Sequence, residues 1–164
     1  MAQLMPDNSL GFLLIDLSRL FRQAFEKSVG NAGLELTPGE IRALANVARY
    51  GGARQAVLAE RMGVEPMTLS AYLDRLEVRG LVLRTTDPTD RRAKVIHLTA
   101  SANDVIETIR PIAEEIYCQV TAGIEPDELK TMESALARIR GNLAQHTPVV
   151  ADYGAMSMAR AGGA

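Results

Sequence analysis

The sequence predicts a mostly α-helical fold with one small β-hairpin, and two patterns of apolar residues support this prediction. Apolar residues recur every three or four positions in several long segments, which is the period of an amphipathic helix. Between residues 81 and 98 the pattern changes to two short extended runs separated by a loop rich in Asp and Pro. Aromatic residues make up only 4% of the chain, so its core must consist mainly of aliphatic side chains.

The first helix is predicted near the start of the chain. Ser9 offers an N-cap, and Gly30 and Gly33 suit the end of the helix. One face is polar, whereas the opposite face carries an apolar stripe that consists of Leu10, Leu13, Leu14, Leu17, Phe21, Ala24 and Phe25.

Three further helices are predicted before the hairpin. Thr37 can cap the second helix, with Glu40 as its capping-box partner. A third helix over residues 55–62 is broken by Gly63, and a fourth runs over residues 66–80. Two short helices joined by a turn that contains glycine are typical of a helix-turn-helix. Because a hairpin follows directly, the sequence predicts a winged helix-turn-helix.

Two long helices are predicted after the hairpin. Thr99 can cap the fifth, and Pro111 should kink it. The apolar residues of the sixth helix, which begins near Glu125, are spaced as a short seam for a partner helix. The stripes of the first, fifth and sixth helices exceed what a small winged domain can cover, so we expect a homodimer. The residues expected in its interface are Leu10, Leu13, Leu14, Leu17, Ile112, Ile116, Leu129, Met132, Leu136, Ile139 and Leu143.

The domain organisation follows from these elements. Residues 9–33 and 100–145 are predicted to form N- and C-terminal dimerisation helices, and residues 37–99 the winged helix-turn-helix domain. Residues 146–164 have no apolar period and are predicted to be a loosely ordered tail. The sequence has no apolar run long enough to span a membrane and no basic signal-peptide segment, so we expect a cytoplasmic location without membrane association.

The charge distribution singles out the winged segment. The net charge of the chain is −2, which excludes a protein that binds nucleic acid by bulk charge alone. Residues 54–94 carry eight basic and six acidic side chains, whereas residues 95–164 carry five basic and nine acidic ones. Such a locally basic patch can hold phosphates, although an ordinary solvated face would have the same charge pattern.

The fourth helix presents a face suited to the major groove of double-stranded DNA. Its leucines share one side, and short or polar side chains share the other, where they can approach base edges and thymine methyl groups. Two adjacent arginines at the hairpin tip suit the negative potential of the minor groove. The residues expected to contact DNA are Arg54, Met67, Thr68, Ser70, Ala71, Arg75, Asp90, Arg91, Arg92 and Lys94.

Three segments resemble the signature of the MarR (multiple antibiotic resistance regulator) family: RLEVRGLV at 75–82, DPTDRRAK at 87–94 and HLT at 97–99. The resemblance covers residues 10–145 and implies a homodimeric winged-helix transcription factor, usually a repressor, often released from DNA by a small aromatic or phenolic anion. It implies that Arg92 enters the minor groove, that Asp90 holds the wing, and that Ser70 and Arg75 contact DNA. The family often has arginine where this chain has Ala71.

Other classes of function have less support in the sequence. It contains no glycine-rich phosphate loop, nucleophile elbow or metal-ligand spacing, and its only cysteine is Cys118, so we expect neither an enzyme nor a cofactor or metal. A winged helix that binds only other proteins is the alternative, which the salt dependence of DNA binding would distinguish. The resemblance places the effector between the dimerisation helices and the winged domain, and Arg19, Arg49 and Tyr50 could bind an organic anion there.

Overall fold

The computed structural model describes residues 9–146, which form six helices and a three-stranded sheet. The elements are α1 (Leu10–Gly30), α2 (Pro38–Arg49), β1 (Ala53–Arg54), α3 (Gln55–Met62), α4 (Pro66–Val78), β2 (Val82–Thr86), β3 (Lys94–Leu98), α5 (Ala102–Val120) and α6 (Pro126–His146). The predicted class, mostly helical with a small hairpin, is confirmed. Of the tail predicted for residues 146–164, His146 ends α6, and the rest lies outside the described residues.

The sheet is antiparallel, with the strand order β1-β3-β2. In the hairpin, Val82 is opposite Leu98 and Thr86 is opposite Lys94. On the other side of β3, Ala53 is opposite Ile96. β1 was not predicted from the sequence, because two residues show no periodicity. This short strand attaches the segment after α2 to the wing.

Local sequence signals place the ends of α2 and α3. The backbone N–H of Glu40 donates to Thr37 Oγ1 at 3.3 Å, and the backbone N–H of Thr37 donates to Glu40 Oε2 at 2.8 Å, so the capping box is confirmed. α3 ends at Gly63, whose φ of 61° lies in the left-handed region. Glycine adopts that conformation without a steric penalty, which allows the tight turn into α4.

The first turn of α2 packs closely on α4. A Cβ at Gly39 would lie 2.5 to 2.8 Å from three atoms of the Tyr72 side chain, two ring carbons and the hydroxyl oxygen, which is closer than real contacts allow. The backbone at Gly39 has no unusual requirement of its own, so the ring explains why a side chain is excluded there. The absence of a side chain therefore lets the two helices approach each other.

The core of the winged domain lies between α2, α3, α4 and the sheet. Its fully buried side chains are aliphatic, and they include Leu44, Val47, Leu58, Leu69, Leu73, Leu76, Val82 and Ile96. A second cluster of Val29, Ile41 and Ile109 joins α1, α2 and α5. The second cluster connects the winged domain to the long helices.

The start of α5 differs from the prediction. Ser101, not Thr99, occupies the N-cap position, and no side chain caps the helix there. The Thr99 hydroxyl instead donates to the carbonyl oxygen of Gly80 at 2.5 Å, and the Thr99 backbone N–H donates to the carbonyl oxygen of Leu81 at 3.1 Å. Thr99 therefore attaches the end of the hairpin to the segment that follows α4, while Pro111 lies inside α5 as predicted.

The long helices leave much of their apolar surface uncovered in a single chain. The exposed large apolar side chains on these helices are Leu10, Phe12, Leu13, Ile15, Leu17, Leu20 and Phe21 on α1, Tyr117 and Val120 on α5, and Met132 and Leu143 on α6. No side chain described on α6, over residues 126–145, is buried. One interface residue needs correction, because Ile116 is only 1% exposed and belongs to the interior of the protomer. None of the helices over residues 9–146 is long and apolar enough to cross a membrane.

Candidate nucleic-acid interface

The exposed face of α4 matches the predicted reading face. Its leucines are buried, and its exposed side chains include Met67, Thr68, Ala71, Asp74, Arg75 and Val78. Met67 and Val78 are 81% and 90% exposed, so the face has an exposed apolar side chain near each end of the helix. Val78 was not among the residues predicted from the sequence, although its position on the helical wheel agrees with Met67 and Ala71. Charged groups lie between and beside these apolar side chains.

Arg84 of β2 binds one flank of α4. Its guanidinium nitrogens lie 2.7 Å from Asp74 Oδ1 and 2.7 Å from Glu77 Oε2, and Nη2 also donates to the carbonyl oxygen of Ser70 at 3.2 Å. The Arg84 side chain is only 15% exposed. This one arginine holds the hairpin against α4 and neutralises two carboxylates that would otherwise repel DNA phosphates.

The other flank of α4 carries Arg75, which binds α2. Arg75 Nε donates to Glu40 Oε1, and the Arg75 guanidinium carbon lies 5.6 Å from the centre of the Tyr72 ring. Burial of Glu40 raises the pKa of its carboxyl, but hydrogen bonds from Thr37 and Arg75 and the charge of Arg75 outweigh it, so the pKa lies below its usual value. Glu40 is therefore ionised at neutral pH, while the Arg75 side chain remains 53% exposed.

The wing tip is organised by Asp87, whose side chain is only 6% exposed. Its Oδ2 lies 2.6 Å from Nε of Arg54, and its Oδ1 accepts from the Thr89 hydroxyl at 2.6 Å, from the Thr89 backbone N–H at 2.7 Å and from the Asp90 backbone N–H at 3.1 Å. The hydrogen bond from Arg54, followed by those from Thr89, holds the pKa of Asp87 far below its usual range. A permanently ionised carboxylate therefore shapes the loop.

Two residues expected at the DNA interface also make contacts within the wing. Asp90, which the resemblance assigns to holding the wing, accepts at Oδ1 from the backbone N–H of Arg92 at 3.0 Å. Arg54 binds Asp87 and donates to the Thr89 hydroxyl at 3.0 Å, and its contact with DNA stays a prediction. The pair of Arg54 with Asp87 spans 33 residues, so no local spacing reveals it.

The remaining cations of the hairpin are accessible. Arg91, Arg92 and Lys94 are all exposed, and Lys94 Nζ donates to the Thr86 hydroxyl at 3.1 Å. Arg92 and Lys94 line a cleft of about 420 Å³ together with the first residues of α3 and α4. The basic side chains of the wing therefore lie next to the helix-turn-helix.

Comparison with known proteins agrees with this geometry. The family model described as the MarR family matches residues 36–94, from the start of α2 to the start of β3. The solved structure of the transcriptional regulator PA3341 is 36% identical, with a TM-score of 0.71, and the match covers 84% of this chain and 99% of that one. The chain belongs to the MarR family.

Two MarR family regulators illustrate the similarity. The regulator from Rhodococcus sp. RHA1 is 26% identical, with a TM-score of 0.68 and coverage of 84% of this chain and 96% of that one. The regulator from Silicibacter pomeroyi is 25% identical, with a TM-score of 0.71 and coverage of 83% and 90%. Membership of the MarR family makes the protein a winged-helix transcriptional regulator that binds DNA.

In this MarR family protein, a cavity of about 580 Å³ lies between α1 and α2. Its lining is mostly apolar and consists of Leu14, Leu17, Ser18, Phe21, Arg22, Phe25, Arg42, Ala45, Asn46 and Leu136. Arg22 and Arg42 are its cationic groups, and Arg42 also lies 3.4 Å from Glu26. An apolar cavity of this size with a few polar groups is typical of a small-molecule site.

None of the three residues predicted for an effector lines this cavity. Arg19 is exposed and lies 3.3 Å from Asp16. Arg49 lines a separate cavity of about 390 Å³ between α2 and α5. Tyr50 packs against the core of the winged domain, with the Arg61 guanidinium 3.9 Å from the centre of its ring. Arg22 and Arg42 could not be identified from the sequence, because they become neighbours only when α1 packs on α2.

Among the described residues, no cluster of His, Cys, Asp and Glu could hold a metal ion.

Proposed function

We propose that this MarR family protein is a homodimeric repressor of a pseudo-palindromic operator. The observation that carries the proposal is the exposed apolar surface of α1 and α6 beside a complete winged helix-turn-helix. A two-fold dimer formed through these helices would present two α4 helices, about one DNA turn (roughly 34–36 Å) apart. Such a dimer covers about two turns of DNA and would block a promoter that overlaps its site.

Each reading face would then contact one half-site. The exposed apolar side chains of Met67 and Ala71 suit thymine methyl groups, and the hydroxyls of Thr68 and Ser70 suit bases or phosphates. Arg92 would enter the minor groove. These two roles would explain why side chains are exposed both on α4 and at the wing tip.

Selection of bound sequences from random double-stranded DNA tests this proposal. The expected result is an inverted repeat whose half-sites have centres about 10 base pairs apart. A reporter gene whose promoter overlaps the selected site should be expressed less when the protein is present. Selection of a single unrepeated site would contradict the dimer, and increased expression would contradict the repressor role.

We expect replacement of Arg92 by alanine to weaken binding to all DNA sequences and to lower the slope of log K against log salt by about one. The reason is that Arg92 is exposed at the wing and carries a charge that would release counterions from DNA. Fluorescence anisotropy at several salt concentrations measures both quantities. Lys130→Ala, which removes one exposed charge from α6, is the control and should leave the slope unchanged.

We further propose that a small aromatic anion binds the cavity between α1 and α2 and releases the protein from DNA. The apolar lining suits an aromatic ring, and Arg22 and Arg42 suit a carboxylate or phenolate. A ligand there would contact both the dimerisation helix α1 and the winged-domain helix α2. It can release DNA only by binding more tightly to the arrangement of helices that does not fit the operator.

A panel of aromatic carboxylates and phenols tests this second proposal. The expected result is that at least one compound raises the melting temperature and weakens operator binding, and that Arg22→Gln abolishes both effects. Arg19→Gln removes a charge one turn earlier on α1, outside the cavity, and should preserve them. A panel that changes neither quantity in the wild type would contradict an anion effector.

A further inference from the structure

Only one of the three guanidinium nitrogens of Arg75 forms a hydrogen bond within residues 9–145. Nε donates to Glu40 Oε1, and neither Nη1 nor Nη2 has a hydrogen-bond partner within residues 9–145. The side chain is 53% exposed, on the same side of α4 as Thr68 and Ala71. The two terminal nitrogens are therefore available to a ligand at the reading face, while the stem is fixed on α2.

Glu40 is a rigid support for this contact. Its side chain is only 3% exposed, and its two oxygens have different partners. Oε2 accepts from the backbone N–H of Thr37 at 2.8 Å, which leaves Oε1 for Arg75. Because the capping box fixes the carboxylate within the first turn of α2, the carboxylate in turn fixes the direction of the Arg75 guanidinium.

We propose that Glu40 is a positioning residue for base recognition, because it presents Nη1 and Nη2 of Arg75 as a preformed bidentate donor to guanine in the major groove. The proposal rests on the proposed function, since it requires that α4 enters the major groove. Two parallel N–H donors match the O6 and N7 acceptors of guanine, which is the commonest specific contact of arginine. Holding the long side chain before DNA arrives removes most of the entropy that its ordering would otherwise cost.

A phosphate contact would not need this arrangement. A phosphate accepts hydrogen bonds from many directions, so a mobile lysine or arginine on the surface serves it equally well. A guanidinium that is fixed through Nε, with both terminal nitrogens directed outwards, instead fits a planar acceptor pair. Glu40 does not contact DNA in this account. It acts only through Arg75.

The experiment compares the affinity of the full-length protein for its selected operator with its affinities for operators substituted at one base pair at a time. In the wild type, replacing one symmetric G·C pair in each half-site should weaken binding about tenfold or more. Arg75→Ala should lose this discrimination at that pair alone, and Glu40→Gln should lose most of it at the same pair. In the Arg75→Ala background, Glu40→Gln should change discrimination no further, because the two residues act as one unit.

Thr37→Ala is the matched control. It removes the Thr37 hydroxyl, which accepts from the Glu40 backbone N–H and also interacts with the Glu40 carboxyl, but it keeps the Thr37 backbone N–H and the Arg75 side chain that hold this carboxyl. We expect a lower melting temperature and unchanged discrimination at every base pair. If Thr37→Ala erased the same guanine preference, Glu40 would have only a general structural role, and the proposal would be overturned.

Arg75→Lys keeps the proposal testable even if Glu40→Gln does not fold. Lysine keeps the charge but lacks the planar fork, so we expect the guanine preference to fall clearly below that of the wild type while the salt dependence stays the same. The proposal would be overturned if either Glu40→Gln or Arg75→Lys kept the wild-type discrimination at the G·C pair. It would also be overturned if Glu40→Gln still reduced this discrimination in the Arg75→Ala background. If the wild type selects no DNA sequence at all, the proposed function fails, which is a separate outcome from a failure of Glu40 positioning.

Discussion

Replacement of both Leu13 and Leu143 by aspartate is expected to convert the protein into a monomer that no longer binds its operator. The two side chains are 48% and 61% exposed in one chain, and both lie outside the buried core clusters. Burial of a fully exposed leucine contributes about 1.5–3 kcal/mol. Because two-fold symmetry would bring four such leucines into the proposed interface, loss of even half of this value would weaken dimerisation more than about 100-fold. The burial of unpaired carboxylates adds to the loss.

Light scattering and fluorescence anisotropy would measure this effect on the dimer and on operator binding. The control is the double variant Gln23→Asp with Asn142→Asp, which adds the same charges to α1 and α6 at exposed polar positions. It should remain dimeric and bind DNA. Circular dichroism should show the same helix content in both double variants, because neither pair belongs to the core. A dimeric Leu13→Asp, Leu143→Asp protein would contradict the interface proposed for these helices.

Arg84→Met should cost about 100-fold in DNA affinity, equivalent to about 2.8 kcal/mol. The substitution exposes two unneutralised carboxylates, of Asp74 and Glu77, on the flank of the helix that would enter a groove lined by phosphates. It also removes the hydrogen bond to the carbonyl oxygen of Ser70, which helps to set the position of the hairpin relative to α4. The major-groove and minor-groove contacts of one half-site then no longer form together.

The charge effect and the geometric effect of Arg84 can be separated. Adding Asp74→Asn and Glu77→Gln to Arg84→Met removes the repulsion, so binding should recover in part. The unrecovered part reports the loss of attachment between hairpin and helix. Arg79→Met is the matched control, because within residues 9–146 Arg79 pairs only with the exposed Glu35, at 3.6 Å, and exposed pairs contribute little. Equal losses for Arg84→Met and Arg79→Met would contradict the role given to Arg84.

The elements of the fold could be predicted because their signals are local. The apolar period of three or four residues gives the helices, and the spacing of Thr37 and Glu40 gives the capping box that the structure confirms. The exposed faces of α1 were predicted only in part, since an analysis of one stripe does not find Phe12, Ile15 and Leu20, which are exposed on the other sides of the helix. The apolar period predicts that α1 is a helix, but it does not predict every apolar side chain that the helix exposes.

The internal support of the candidate site could not be predicted. Glu40 and Arg75 are 35 residues apart, and Arg54 and Asp87 are 33 apart, so each pair forms only when the fold brings two elements together. The sequence does show that charges are concentrated in residues 54–94, but not which of them bind each other. Several charges that looked available to DNA are therefore partly or wholly used inside the protein.

The close approach of Gly39 to the Tyr72 ring links the natural variation of two distant positions. Alanine favours a helix over glycine by about 1 kcal/mol, and the backbone at Gly39 would accept it, so only the ring opposes this change. Among related sequences, we therefore expect residues larger than glycine at the first position to accompany smaller residues than tyrosine at the second. Because Tyr72 also lies beside Arg75, we expect paired substitutions at these two sites to change the operator preference even when the residues proposed to face the bases stay the same.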